Sequence, residues 1–409
     1  MSLKNKKILL IVGGGIAAYK TLDIIRFLKK KNAYVKTILT KSGKEFVTPL
    51  SLASLTKNKV YEEIFDAENE SEIDHISLSR WADIILVVPT TANLMSKLSV
   101  GRAEDLATTV ILASDKDIIL VPAMNVRMWL HKATQNNLET LMSFGYKFIG
   151  PIKGEMACGE YGEGRMSSPR QIFSFLKNYF DKRNFLKEKK LKAIVTTGPT
   201  REYLDPIRFI SNESSGKQGY EIALALAKYG IKTTLVAGPS NINPSSDLKI
   251  KNVKTSNQML TEVKKLLPVD IAVCAAAVSD FKPKKTSKNK IKKKENNFNN
   301  IELEKNQDIL DFLGKSNRLR PKIVVGFSAE TENLIKNSFE KLKEKYCDLI
   351  IANDVSRKNT GINSDYNEVI IINKKGETQF IKKNKKNFIA SVIAKKIIDK
   401  FLINKKNIN

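Results

Sequence analysis

The feature that most constrains this chain is a repeated change of hydrophobic period. From Lys7 to about Phe180, short apolar runs ("ILLIVG", "VKTILT", "DIILVVP", "TTVILA", "DIILVPA") alternate with amphipathic stretches such as "AAYKTLDIIRFLKK", then with a helix through Leu141 and a last run, "YKFIG". Runs rich in Ile, Val and Leu between turn residues read as strands, and their alternation with helical segments marks βαβ units around a parallel sheet. The runs are apolar throughout, so both faces of the sheet must be covered. After a charged link, "KNYFDKRNFLKEKK", the same grammar restarts with "KAIVTTG", "QGYEIALALAKYG", "KTTLVAG" and "DIAVCAAAVSDF". The expectation is an α/β chain of two domains, residues 1–190 and 191–409, the first a flavodoxin-like or Rossmann-like parallel sheet and the second Rossmann-like.

With 409 residues, 42% of them hydrophobic, the chain can bury two sizeable cores. Three cysteines, Cys158, Cys274 and Cys347, are too few and too scattered for a disulfide framework or a four-ligand zinc site, which points to a reducing compartment. The start "MSLKNKK" passes directly into a strand-like run, and no apolar run approaches the ~20 residues of a membrane span, so a soluble cytoplasmic protein is expected. The net charge of +27 favours anionic partners, although solvated lysine explains much of such an excess. The densest stretch, Lys282 to Lys294, has eight lysines in thirteen residues and reads as a mobile loop unless an anion orders it.

"GGGIAAYK", Gly13 to Lys20, lies between the first strand and first helix, where glycine lets backbone N–H groups approach a phosphate. It also satisfies the weak Gly-x-Gly-x-x-Ala dinucleotide pattern. That pattern calls for a carboxylate at the end of the second strand, whereas "ILTKSGKEF" has none before Glu45. Flavin mononucleotide (FMN) is thus preferred to NAD, with a plain packing turn as the third reading. His75 stands shortly before a buried strand and is as consistent with a structural role as with a site. The cluster of Met124, Asn125, Met128 and Trp129 in "PAMNVRMW" is, by its chemistry alone, more typical of a core.

Taken together, "GGGIAAYK", "IDHISLSRWAD", "PTTANLMSKLSVGRAEDLATT", "PAMNVRMW" and "ACGEYGEGRM" resemble the flavin-dependent cysteine decarboxylases. In particular they resemble the decarboxylase half of the bifunctional phosphopantothenoylcysteine decarboxylase/phosphopantothenate–cysteine ligase family. The resemblance implies FMN held around Gly13, Gly14, Gly15, Ile16, Thr40, Pro89, Thr90, Thr91 and Asn93. It makes Asn125 a clamp on the substrate's carboxylate or amide, with Met124 beside it, His75 an acid/base group and Cys158 a proton donor on a Gly-rich flap. Such chemistry suits the cofactor: loss of CO2 from an acylated cysteine needs an electron sink, which flavin supplies by first oxidising the thiol. Two departures are mild. Glu104 stands where the family commonly has Asp, and the first loop is Gly-Gly-Gly where a hydroxyl residue is often seen.

"TTGPTREYLDPIRFISNESSGKQGYEIALALA" and "ANDVSRKNTGINSDYNEVIII" resemble the ligase half. A Walker A loop is excluded, because Ser211 and Gln218 stand where it needs Gly and Ser/Thr. The resemblance implies CTP-dependent activation of 4′-phosphopantothenate through an acyl-cytidylate that cysteine opens, with Mg2+ as the expected metal and no metal ligands assigned. It places Asn212 on the intermediate, Arg208 on the substrate and Lys290 as the catalytic cation. Ala275, Ala276, Asp280, Gln307, Asp308, Ile309, Leu310, Phe327, Lys341 and Lys345 fall at nucleotide-contact positions. A homo-oligomer, a dodecamer, is implied as well.

Two other classes compete. A basic nucleic-acid binder would interleave aromatic residues with its lysines as stacking platforms, and the Lys282–Lys294 run contains none. An NAD(P)-dependent Rossmann reductase lacks its acidic residue. Neither nucleic acid nor membrane is therefore expected as a partner, only small-molecule substrates.

Overall fold

The computed structural model describes residues 3–64, 74–240, 242, 248–292, 300–315, 318–356 and 364–406. The chain divides into two compact units, Met1–Asn184 and Phe185–Asn409.

The first unit runs β1 (Lys7–Val12), a 3-10 turn (Ile16–Lys20), α1 (Thr21–Lys30), β2 (Tyr34–Leu39), α2 (Pro49–Thr56), β3 (Val60–Tyr61), α3 (Asp74–Trp81), β4 (Ile84–Thr90), α4 (Ala92–Ser99), α5 (Leu106–Leu112), β5 (Ile118–Pro122), α6 (Val126–Leu130), α7 (Lys132–Ser143), β6 (Lys147–Phe148), β7 (Ile152–Glu155), β8 (Tyr161–Arg165) and α8 (Pro169–Glu188), whose last turn, from Phe185, already belongs to the second unit. Its sheet has the order β3-β2-β1-β4-β5-β6, all parallel. That is the Rossmann order rather than the flavodoxin one, and its switch point lies between β1 and β4. Every residue of β4 is buried and β1 is exposed only at Lys7. The two core clusters divide along the strands: Ile8, Leu10 and Val12 pack with α1 and α8, whereas Leu9 and Ile11 pack with α3, α4 and α5. Alternate side chains of one apolar run thus fill two layers.

Two sequence readings are corrected here. "TTVILA" is helical, because Asp105 caps α5 through a reciprocal pair with Thr108 and so sets helical geometry before the β-branched residues. The helix expected to run through Leu141 is broken at His131, whose Nδ1 accepts from the Ala133 N–H and starts α7.

The second unit comprises β9 (Lys192–Thr197), β10 (Arg201–Tyr203), β11 (Phe209–Ser211), α9 (Lys217–Lys228), β12 (Lys232–Ala237), β13 (Lys249–Asn252), α10 (Ser256–Leu266), β14 (Ile271–Cys274), β15 (Phe281–Pro283), β16 (Leu303–Lys305), α11 (Ile309–Lys315), β17 (Ile323–Glu330), α12 (Leu334–Glu344), β18 (Leu349–Asp354), β19 (Tyr366–Asn373), β20 (Thr378–Lys385) and α13 (Lys386–Lys406). Its main sheet, β13-β12-β9-β14-β17-β18-β19-β20, is parallel as far as β18, where an antiparallel hairpin continues it. The Rossmann-like reading therefore holds for the first six strands in that order, and the whole sheet is mixed. α9 and α13 cover one face, burying Ile222, Leu226, Ile393 and Ile397. The other face packs on α10, α11 and α12 through Met259, Leu313 and Leu342.

Candidate functional site

In open α/β sheets ligands bind beyond the carboxyl ends of strands at the switch point. In the first unit that crevice is bounded by the loops after β1 and β4. A Cβ added to Gly13 would lie 2.3 Å from the Pro89 carbonyl oxygen, and one on Gly14 would lie 2.6 Å from the Ser42 Cβ. The glycines thus let the loop pass between the ends of β4 and β2. Gly15 differs: its φ of +114° needs glycine, and the space where a side chain would stand is open. Such an open backbone cradle fits the phosphate of FMN. Thr40, half-buried, donates to the Val12 carbonyl and accepts from the Gly43 N–H, fixing the loop that carries Ser42. Ser42 and Gly43 were not singled out in the sequence, although a Ser-Gly pair directly after a strand is a visible signal.

Pro89 follows a cis peptide bond and is buried. Thr90 is fully buried, and its hydroxyl donates to the Val87 carbonyl while accepting from the Val121 N–H, so it joins β4 to β5. Thr91 caps α4 by accepting from the Leu94 N–H. Asn93 and Ile16 are exposed. Of these expected cofactor contacts, then, the Thr90 and Thr91 hydroxyls are already engaged within the fold. Glu104, the departure from the commoner aspartate, pairs with Lys97 and Arg102, and Lys97 is held above its ordinary value chiefly by that hydrogen bond.

Beyond β5, Asn125 caps α6, its Oδ1 accepting from the Met128 N–H at 2.8 Å. Trp129 is buried in the core, in accord with the bare chemistry of that cluster, whereas Met128 is exposed and Met124 half-buried. The β7–β8 hairpin lies on this segment. The Met124 N–H donates to the Gly164 carbonyl, a Cβ on Gly164 would stand 2.4 Å from the Met124 carbonyl oxygen, and one on Gly162 would stand 2.8 Å from a Val126 methyl. Cys158, exposed, sits in the hairpin's turn, which a Gly159–Met156 hydrogen bond closes. The expected Gly-rich flap is thus a β-hairpin seated by two glycines on the Met124–Val126 segment. His75, half-buried, is on the first turn of α3.

In the second unit the switch point lies between β9 and β14. The Ala277 N–H donates to the Gly198 carbonyl, Pro199 bridges to Ala277, and the Ala275 and Ala276 N–H groups reach Thr196. Asn212 Nδ2 donates to the Val278 carbonyl, which ties it to the same loop. Asp280 follows, and its carbonyl accepts from the Asn306 N–H, placing Gln307 next to it in space. Ile309 and Leu310 begin α11, and a Cβ on Gly326 would stand 2.8 Å from a Leu310 methyl, so that glycine seats Leu310 beside Phe327. Lys345 binds Asp308 at 2.9 Å. Burial raises the Asp308 pKa, but the Asp311 N–H and the Lys345 ammonium hold it below the usual carboxylate range. Lys341 lies on α12, the helix that Lys345 caps at its C-terminus. Of the expected nucleotide positions, Ala275 and Ala276 directly follow β14, Phe327 lies within β17, and Lys345 reaches the start of α11 through Asp308.

Arg208 lies 3.7 Å from the buried Asp205 carboxylate. Asp205 also accepts from the Ile207, Arg208 and Ile291 N–H groups, so it stitches the β10–β11 turn to the lysine-rich segment. Thr286 and Ser287 bond to the Tyr203 and Leu204 carbonyls. The described part of the run is thus joined to the β10–β11 segment by hydrogen bonds at Thr286, Ser287 and Ile291. Lys290 is exposed, and Lys293 and Lys294 lie outside the described residues. Among the described residues no three His, Cys, Asp or Glu side chains gather to hold a metal ion, and no helix is long and apolar enough to cross a membrane.

The flavoprotein family matches residues 1–181, and the DNA/pantothenate metabolism flavoprotein C-terminal domain family matches residues 188–401. The coenzyme A biosynthesis bifunctional protein CoaBC of Haemophilus influenzae is 39% identical over 402 residues, 98% of this chain and 99% of that protein. The protein of the same description from Borreliella burgdorferi is 40% identical over 373 residues, 91% and 94% of the two chains. A crystal structure of the C-terminal domain of a CoaBC protein is 34% identical, with a TM-score of 0.43, over 51% of this chain and 94% of that one. With both units matched and nearly the whole length shared, the chain belongs to the family of coenzyme A biosynthesis bifunctional proteins.

Proposed function

We propose that the chain performs two consecutive steps of coenzyme A biosynthesis. The second unit joins cysteine to 4′-phosphopantothenate, and the first decarboxylates the resulting 4′-phosphopantothenoylcysteine to 4′-phosphopantetheine. The observation that carries this reading is the near full-length relationship to bifunctional relatives, with a glycine cradle and a Cys158-bearing hairpin in the unit matched as a flavoprotein.

In the first unit the loop Gly13–Ile16, with Thr40 and the Pro89–Asn93 segment, would hold FMN. Bound there, FMN would supply the reversible electron sink that decarboxylation of an acylated cysteine needs. Asn125 has its Oδ1 on the Met128 N–H, which leaves its amide NH2 to donate to the substrate's carboxylate or amide oxygen. Cys158 delivers the last proton from the hairpin turn, and His75 acts as the acid/base group.

In the second unit a carboxylate must be activated, and this reading assigns CTP. Activation at phosphorus depends on positioning and on neutralising charge. Lys290 and Lys341 supply cations, Lys345 orients the start of α11 through Asp308, and Asn212 holds the acyl-cytidylate. Mg2+ would be bound mainly through the nucleotide's phosphates, as is usual for that ion. The reading also includes a cytoplasmic location and a dodecameric homo-oligomer, which sedimentation of the full chain would test.

The direct test is to purify the full chain, record its visible flavin absorption, identify the released cofactor by mass, and supply 4′-phosphopantothenoylcysteine. Bound FMN and evolved CO2 are expected. A colourless protein with no affinity for FMN would overturn the first half of the reading.

A further inference from the structure

Asp205 lies in the turn between β10 and β11, and its side chain is fully buried. Its two oxygens have separate duties. Oδ1 accepts from the Ile207 and Arg208 N–H groups, each at 2.8 Å, and so shapes the turn itself. Oδ2 accepts from the Ile291 N–H at 3.3 Å. The Arg208 guanidinium stands 3.7 Å from Oδ2, too far for a hydrogen bond, so Ile291 is the donor that this oxygen serves. The Ile207 N–H, opposed by burial and aided by the Arg208 and Ile291 N–H groups, holds the carboxyl below its ordinary range. Both oxygens are therefore acceptors.

The turn alone asks for one acceptor oxygen, which asparagine supplies as well as aspartate. Burying a charge is costly, and what the second oxygen adds is a link to a segment 86 residues away. That segment is held upstream as well. The Lys284 N–H donates to the Glu302 carbonyl, Thr286 and Ser287 bond to the Tyr203 and Leu204 carbonyls, and the Ser287 hydroxyl accepts from the Asn289 N–H. Lys290, exposed, thus stands between the Ser287–Asn289 turn and the Ile291 contact. A long exposed side chain delivers its charge only as well as its backbone is placed. We propose that Asp205 is a positioning residue for ligation, which fixes the backbone at Ile291 through Oδ2 and so places the Lys290 ammonium. It touches no substrate itself. This rests on the ligase reading above.

Asp205→Asn separates the two duties. Its amide oxygen takes the place of Oδ1, where two N–H groups meet it, and its NH2 then faces the Ile291 N–H, donor against donor. Full-length wild type, Asp205→Asn, Lys290→Met and the double variant receive 4′-phosphopantothenate, cysteine, CTP and Mg2+, and pyrophosphate release is followed. Thermal melting, and decarboxylation of added 4′-phosphopantothenoylcysteine, serve as controls on the same preparations. Asp205→Asn should lower kcat of ligation by about 10- to 100-fold, the order that a displacement of about 1 Å costs, with decarboxylation unchanged. In the Lys290→Met background the same change should cost less than about twofold, because the group it positions is gone. Trypsin should also cut after Lys288, Lys290 and Lys292 faster in Asp205→Asn than in wild type. Losses that multiply in the double variant, unchanged kcat or unchanged cleavage in Asp205→Asn, or a second unit that no longer melts cooperatively, would each overturn the proposal. A wild type that releases no pyrophosphate would overturn the ligase reading and this proposal with it. An active wild type whose two substitutions act independently overturns the positioning role alone.

Discussion

Asn125 serves the fold and, on our reading, the substrate with different atoms of one amide. Its Oδ1 caps α6, while its NH2 is the donor assigned to the substrate. Asn125→Ala should therefore cost about 1 kcal/mol of stability as well as decarboxylation. Asn125→Asp keeps a good cap, so it should melt close to wild type yet lose decarboxylation through repulsion of the substrate carboxylate. Parallel melting and CO2 assays separate the two roles. Asp308 adds a pH signature. Its folded pKa is depressed, so its contribution to stability is present above the ordinary carboxylate range and is lost as pH falls through the folded value. Asp308→Asn should be less stable than wild type in urea at neutral pH, with the difference vanishing in acid. Lys386 shares that slope but its charge costs stability at neutral pH: burial and then the Lys217 charge bring it from 10.5 to about 8. Between those values the unfolded chain binds a proton that the folded chain has released, so stability rises with pH across the window. Lys386→Met should raise the urea midpoint at neutral pH and flatten that rise.

At the scale of elements, Gly164 fixes how the Cys158 hairpin is seated. Gly164→Ala places a Cβ 2.4 Å from the Met124 carbonyl oxygen at a φ of +140°, so the hairpin must shift. A displacement of about 1 Å in a reacting group can cost about 100-fold in rate, and a loss of that order is expected in decarboxylation, with ligation by the same preparation as the control. Legibility in the sequence follows from what determines each element. β1, β4 and β9 were plain because their short apolar runs are bounded by Gly, Pro and Thr turn residues. α5 was not: Val110, Ile111 and Leu112 look β-like, and the Asp105–Thr108 box that decides the matter is less conspicuous than one closed by Glu or Gln. Site residues that directly follow strands, such as Gly13–Gly15 and Asn125, could be found by position. Ser42 against Gly14, and Gly164 against Met124, are tertiary meetings of segments far apart in the chain, and no local pattern announces them.

At the scale of the molecule, each of the two units has its own pair of cores and one switch point in its main sheet. The charge of +27 belongs to a chain whose proposed substrates, phosphopantothenate and CTP, are anions, so an excess of cations aids their capture without any nucleic acid. The central claim, two reactions in sequence on one chain, is tested most directly by one incubation. Purified protein receives 4′-phosphopantothenate, cysteine, CTP and Mg2+, and the products are followed by mass. The expected result is 4′-phosphopantetheine with stoichiometric CO2, CMP and pyrophosphate, preceded by a transient cysteine adduct. Failure to form that adduct, or an adduct that never loses CO2 although FMN is bound, would contradict it.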